Sequence, residues 1–285
     1  MKFAEPLFEG AACAIVTPFG LNGEPDYTLL GTLTERQIEN GTEAIVVCGT
    51  TGEASTLTDR EREEAIRTVV EISAHRVPVI AGAGSNNTAR SVLYAKIAEE
   101  AGADAILCCP PYYNKTTAGG LIRHFFETAD AVSVPMLLYN VPSRCAMSIP
   151  IPTLGELARH PHIIGIKEAS GDLSYAASLL ARYRDTLDVY AGCDDLTVPY
   201  LSLGARGVIS VLSNLRPGEV STMCRNYRTG NCGEAAKAQL EFLPLIRRLF
   251  SLVNPIPVKY LMAKEGLCEN VLRLPLLAAD SLPQE

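Results

Sequence analysis

His162-Ile163-Ile164-Gly165-Ile166-Lys167-Glu168 is the stretch that decides the fold. A short apolar run closed by a charged residue reads as a strand of a parallel sheet, buried on both faces. Lys167 is out of place at such a strand end. Burial disfavours an ammonium group and lowers its pKa. A lysine made partly neutral near pH 7 attacks carbonyl carbons and forms a Schiff base. The plain alternative is a structural lysine that reaches water or pairs with Glu168. None of the other six lysines lies at the end of such a strand.

Seven further β-favouring runs flank this one: Ala11–Thr17, Ala44–Cys48, Pro78–Gly82, Ala105–Cys109, Pro135–Asn140, Asp188–Ala191 and Gly207–Val211. The intervals read mostly as amphipathic helices. Asp59–Ala74 follows Thr58 as N-cap and has acidic residues in its first turn; Thr88–Ala101 stops at Gly102. Alternating strands and helices predict a parallel sheet, and eight repeats favour closure into a barrel over an open doubly wound sheet. From about Arg216 to Leu267 the pattern is helical, with breaks expected at Gly230 and Pro244. Asn254-Pro255-Ile256-Pro257 reads as a rigid turn before a helix at Val258–Glu265. The expected fold is α/β: a (β/α)8 TIM barrel over residues 1–221 and a small C-terminal helical region over residues 222–285.

The composition suits this. With 285 residues, 47% of them hydrophobic, the chain can bury a large core. The net charge is −7, and no basic stripe points to nucleic acid. No apolar stretch approaches the roughly 20 residues that span a bilayer. The beginning, Met1-Lys2-Phe3-Ala4-Glu5-Pro6, lacks a signal-peptide apolar region, so a cytoplasmic protein is expected. The nine cysteines include no C-x-x-C, and we read them as reduced core residues. The four histidines show no metal-ligand spacing, so a zinc site is not expected.

Active sites of such barrels lie at the C-terminal ends of the strands. Gly49-Thr50-Thr51-Gly52-Glu53 follows the second run, Gly84-Ser85-Asn86-Asn87 the third, and Pro110-Pro111-Tyr112-Tyr113-Asn114 the fourth. Tyr139-Asn140-Val141-Pro142-Ser143-Arg144 closes the fifth, and Gly192-Cys193-Asp194-Asp195 follows the seventh. Hydroxyls, amides, one Arg and one Lys thus converge on one rim. Each has a blander reading: Gly49 and Gly52 can bracket a plain turn rather than an anion site, Tyr139 can be a rim aromatic, and Arg144 a solvated charge. Gly82-Ala83-Gly84 is not a dinucleotide fingerprint, because position 87 is Asn.

These motifs, together with Ile164-Gly165-Ile166-Lys167-Glu168-Ala169, Gly207-Val208-Ile209-Ser210-Val211 and Asn254-Pro255-Ile256-Pro257-Val258-Lys259, resemble the dihydrodipicolinate synthase (4-hydroxy-tetrahydrodipicolinate synthase) family of pyruvate-dependent class I aldolases. The match runs from about Gly10 to Pro275. It implies condensation of pyruvate with L-aspartate-4-semialdehyde in lysine and diaminopimelate biosynthesis. Lys167 resembles the Schiff-base lysine, and Thr50, Tyr139 and Tyr113 the proton relay, with Tyr113 serving a neighbouring subunit. Thr50 and Thr51 match the site for the pyruvate carboxylate, and Arg144 the group receiving the carboxylate of the semialdehyde. Ile209 matches a residue whose main-chain carbonyl faces the lysine, and Gly192 belongs to the substrate-binding set. The resemblance implies no metal or organic cofactor beyond the covalent imine, and a homotetramer built as a dimer of dimers.

The chain departs from the family pattern in places. Cys145-Ala146 replaces a common Thr-Gly after the Arg, and Cys193 stands where Asp or Asn is frequent. The sequence stops soon after Leu274-Pro275, where relatives often carry another helix, so a short C-terminus is expected. Some family members bind L-lysine as an inhibitor. Here Asn86 and Tyr112 match that pocket, but Arg90 replaces its Glu, and Asp59 and Arg62 replace its histidines. Weak or absent inhibition is expected, because Arg90 puts positive charge where a cation must bind. The nearest alternative is an N-acetylneuraminate lyase-like or keto-deoxy-sugar acid aldolase; Arg144 argues for a carboxylate-bearing aldehyde instead. A catalytically silent barrel would be expected to lose Lys167, Tyr139 or Thr50, and a metal-dependent aldolase would need a His/carboxylate cluster.

Overall fold

The computed structural model describes residues 5–283. Eight parallel strands form a closed barrel, each hydrogen-bonded to the next and the last to the first. In chain order the elements are β1 (Gly10–Ala14), α1 (Tyr27–Glu39), β2 (Ala44–Val47), α2 (Asp59–Ser73), β3 (Val79–Gly82), α3 (Thr88–Glu100), β4 (Ala105–Cys108) and α4 (Ala118–Ala129). They continue as β5 (Met136–Asn140), α5 (Pro142–Cys145), α6 (Ile151–Leu157), β6 (Ile163–Glu168), α7 (Leu173–Tyr183), β7 (Asp188–Ala191), α8 (Thr197–Ser202) and β8 (Gly207–Ser210). Three helices close the chain: α9 (Pro217–Arg228), α10 (Cys232–Leu249) and α11 (Ile256–Lys264). Each expected run contains its strand, apart from a first residue at β1, which begins at Gly10, and a final residue at β6, where the ladder continues to Glu168.

Period-2 alternation divides the core in two. Ala12, Ala14, Ala44, Val46, Ile80, Ala105, Leu107, Leu137, Tyr190 and Ile209 fill the barrel interior. Their neighbours in the strands, such as Ala11, Cys13, Ile45 and Val47, pack outward against the helices. Small residues on β1 leave room for Tyr190, which stacks on Phe8 at 4.2 Å and donates its hydroxyl to the Phe8 carbonyl at 2.9 Å. One end of the barrel is thereby plugged.

Local signals set the helix ends. Thr58 caps α2 through a capping box with Glu61. Asn87 caps α3 by accepting from Ala89 N at 3.0 Å. Gly230 lies in the break between α9 and α10, as expected. Pro244 does not break α10. The missing hydrogen bond is to the carbonyl of Leu240, whose side chain is 68% exposed, so water can serve that carbonyl instead. The boundary expected after residue 221 falls inside α9, which lies against β1 and β8 as the eighth helix of the barrel.

Candidate active site

A bulge aims the lysine. Between β5 and β6 the register jumps from Met136 opposite Ile163 to Leu137 opposite Gly165, so Ile164 is an extra residue. Beyond it, Gly165 and Lys167 share the inward face with Leu137 and Tyr139, and Lys167 stands directly beside Tyr139. Lys167 Nζ sits over the Tyr139 ring, 4.6 Å from its centroid. Only 5% of the residue is exposed.

Lys167 makes no ion pair among the described residues. Its neighbour Glu168 is turned away, accepting from Asn140 Nδ2 at 2.6 Å and from Ser170 N at 2.6 Å. Burial pulls the Lys167 amine down to about 8, with Asp194 opposing the shift. About a tenth of the amine is therefore neutral at pH 7, against well under a thousandth for an ordinary lysine. The pairing with Glu168 that would have made Lys167 structural is absent.

The lysine opens into a cavity of about 510 Å³ lined by Thr50, Thr51, Tyr139, Arg144, Lys167 and Gly192, among others. Thr50 and Thr51 lie on the loop after β2, which is bracketed by left-handed Cys48 and Glu53. Thr17 Oγ1 donates to Gly52 O at 2.7 Å and ties this loop to the segment that follows β1. Burial raises the Tyr139 phenol well above its usual value; Arg144 and Thr50 act against the rise. The Tyr139 hydroxyl thus stays protonated, suited to passing a proton through Thr50 rather than holding a charge.

Gly192 follows β7 and donates its N–H to Glu168 O at 2.7 Å. A Cβ there would meet Ala169 Cβ at 2.5 Å and Lys167 Cε at 3.1 Å. The missing side chain keeps space beside the amine. Arg144 stands at the mouth, donating to Asn254 O at 3.0 Å. Ile209 is fully buried in the interior cluster, and the β8-end residue that lines the cavity is Val211. Tyr113 is not brought to this cavity: it is 92% exposed, with φ +70.

Three supports were not singled out in the sequence. Asn254 donates from Nδ2 to Thr51 Oγ1 at 2.9 Å while its carbonyl holds Arg144, so one residue before α11 fixes both ends of the cavity. Lys259 on α11 forms a fully buried ion pair with Glu53. Asp194 accepts from Val211 N at 2.9 Å and Leu212 N at 3.1 Å, anchoring the turn after β8. The rigid Asn254-Pro255-Ile256-Pro257 turn was legible, but nothing in it announced a partner 203 residues away. Among the described residues no group of three His, Cys, Asp or Glu side chains could hold a metal ion.

A closed parallel barrel with a buried, unpaired lysine in its rim cavity has the layout of a Schiff-base aldolase. The profile of the Dihydrodipicolinate synthetase family matches residues 7–284, and the chain belongs to that family. It is 46% identical over 273 residues to the 4-hydroxy-tetrahydrodipicolinate synthase of Thermoanaerobacter sp. (strain X514), covering 95% of this chain and 92% of that protein. Among solved structures it is similar to the 4-hydroxy-tetrahydrodipicolinate synthase of Methylacidiphilum fumariolicum SolV, with a TM-score of 0.93 and 42% identity over 95% of this chain and 91% of that one. It is likewise similar to the chloride-inhibited dihydrodipicolinate synthase of Acinetobacter baumannii complexed with pyruvate, with a TM-score of 0.93 and 39% identity over 95% of this chain and 94% of that one.

Proposed function

We infer that this chain carries 4-hydroxy-tetrahydrodipicolinate synthase activity, a lyase reaction condensing pyruvate with L-aspartate-4-semialdehyde in lysine and diaminopimelate biosynthesis. The observation that carries the mechanism is the unpaired Lys167 amine, buried and lowered to about 8, inside the rim cavity. Neutral Lys167 adds to the ketone carbon of pyruvate, and loss of water leaves a protonated imine. That imine is an electron sink, so a proton leaves carbon 3 and an enamine forms. The enamine carbon adds to the aldehyde. The amino group of the adduct then attacks the imine carbon, closing the ring and releasing Lys167.

Thr50 and Thr51 are proposed to hold the pyruvate carboxylate, a reading supported by the hold of Asn254 on Thr51. Tyr139 and Thr50 relay the protons, and Gly192 leaves room beside the amine. Arg144 at the mouth favours a second substrate bearing a carboxylate over a neutral sugar. Tyr113, exposed in its own chain, is proposed to complete the relay of a second copy, making the working unit a dimer paired into a homotetramer. A demonstrably monomeric sample with full activity would contradict this. We place the protein in the cytoplasm; among the described residues no helix is long and apolar enough to cross a membrane. The barrel unit is proposed to run through α9, with α10 and α11 as the appended helical region.

L-lysine is expected to inhibit weakly or not at all. Arg90 is ion-paired with Asp59 at 2.8 Å, and buried Arg62 donates to Gly82 O at 2.6 Å and Ala54 O at 3.0 Å. Two guanidinium groups thus occupy positions where an ammonium ligand needs neutral or acidic ones. The function itself is tested by incubating with pyruvate, reducing with borohydride and mapping the adduct. A reduced pyruvyl group on Lys167 is expected; an adduct on another lysine, or none, would overturn the reading.

A further inference from the structure

Two cysteines at the mouth of the site are unused by the reaction. Cys109 directly follows β4, and Cys145 ends α5, the short helix directly after β5. The two strands are neighbours, with Cys108 opposite Leu138. Both cysteines line a cavity of about 380 Å³ that shares Thr50, Tyr139 and Arg144 with the lysine cavity. Cys109 is partly exposed and Cys145 is buried. The Cys109 sulfur packs over Gly84, where a Cβ would come within 2.8 Å of it, so the missing side chain gives the thiol its seat.

We propose that Cys109 and Cys145 form a two-electron redox site, oxidised by a hydroperoxide to a disulfide that ties the loop after β4 to the helix carrying Arg144. The Cys145 thiolate attacks the peroxide oxygen; the O–O bond breaks, water or an alcohol leaves, and Cys145 becomes a sulfenic acid. Cys109 sulfur then attacks the Cys145 sulfur, the S–OH bond breaks, and a second water leaves with the Cys109 proton. Two thiols are oxidised and one peroxide is reduced. A dithiol reverses the change by exchange.

The thiols differ in a way that fits these roles. Cys109 lowers the Cys145 thiol, with Arg144 adding to the effect, and Cys145 together with burial raises Cys109. Burial raises Cys13, Cys48, Cys108 and Cys224. Those four are core thiols, slow to react. The consequence falls on the second half-reaction. Arg144 precedes Cys145 in α5 and is held to Asn254 O, whereas Lys167 stands on β6 behind it. Disulfide formation shifts the seat of Arg144 and leaves the amine in place.

The test treats the reduced full-length protein with hydrogen peroxide, alkylates the free thiols and maps the peptides. A Cys109–Cys145 link is expected, with condensation lowered about tenfold or more, restored by dithiothreitol, while borohydride still traps pyruvate on Lys167. The Cys109→Ser variant should accumulate a dimedone-reactive sulfenic acid at Cys145, and Cys145→Ser should keep its activity through peroxide. Both thiols remaining alkylatable, or a link to any other cysteine, would overturn the proposal. So would equal peroxide sensitivity in a folded Cys109→Ser/Cys145→Ser double variant. The activity arm rests on the reaction proposed above, but the peptide map does not, so the two readings fail separately.

Discussion

Lys167 and Lys259 are both buried, 5% and 0% exposed, and both stand near an aromatic ring. Only one is suited to chemistry. Lys259 Nζ pairs with Glu53, donates to Val271 O at 2.9 Å and lies 4.0 Å from the Phe19 centroid. Every direction around it is spoken for. Lys167 has Tyr139 on one side and an open cavity on the other, and its neighbouring carboxylate, Glu168, is occupied elsewhere. Burial lowers the pKa of both amines, and the Glu53 carboxylate resists that change for Lys259. A buried lysine becomes a nucleophile when its counter-ion is withheld; with the counter-ion supplied it is a strut.

The comparison breaks most visibly at the strut. Lys259→Met leaves Glu53 buried without its partner, and unfolding should become easier by about 3–5 kcal/mol. Adding Glu53→Leu should recover much of that loss, because an apolar pair of similar volume often replaces a buried ion pair at little cost. Denaturant melts of the three proteins check this, and additive losses would mean that the two residues do not act as a pair. Borohydride trapping at Lys167 should persist in any variant that stays folded.

Gly192→Ala sharpens the other side. Its methyl would press on Ala169 Cβ and Lys167 Cε. We expect a fall of about 10–100-fold in kcat/KM for pyruvate with a smaller change in melting temperature. Unchanged kinetics would show that the amine does not need that space.

The smallest effect is expected at Ala146, beside the site. Ala146 holds φ +53 as the C-cap of α5. Ala146→Gly removes the left-handed penalty, and the protein should gain about 1 kcal/mol of stability. A destabilised variant would mean that the methyl is packed to advantage.

How much of this was legible in the sequence follows from the range of each interaction. The barrel was, because strand and helix periods are local: the eight runs and the capped helices needed only neighbouring residues. Lys167 was legible because a charge closing an apolar run is conspicuous. The bulge at Ile164, which sets the facing of Lys167, was not; one extra residue in an apolar run leaves no mark on its composition. The holds of Asn254 on Thr51 and of Lys259 on Glu53 span 203 and 206 residues and depend on where α11 docks. That Cys109 and Cys145 line one cavity depends on strand order. Pro244 misled because a helix-breaking residue is tolerated where solvent can serve the freed carbonyl.

The central claim is that Lys167 is a nucleophile because burial without a partner lowers its amine to about 8. Imine formation needs the neutral amine, so protonation at low pH must slow it. The direct measurement is the second-order rate of pyruvate imine formation, trapped by borohydride, from pH about 6 to about 9.5. The rate should rise about tenfold per pH unit and level off near pH 8. A rise that continues unbroken through that range, as an ordinary lysine of pKa 10.5 would give, would contradict the account.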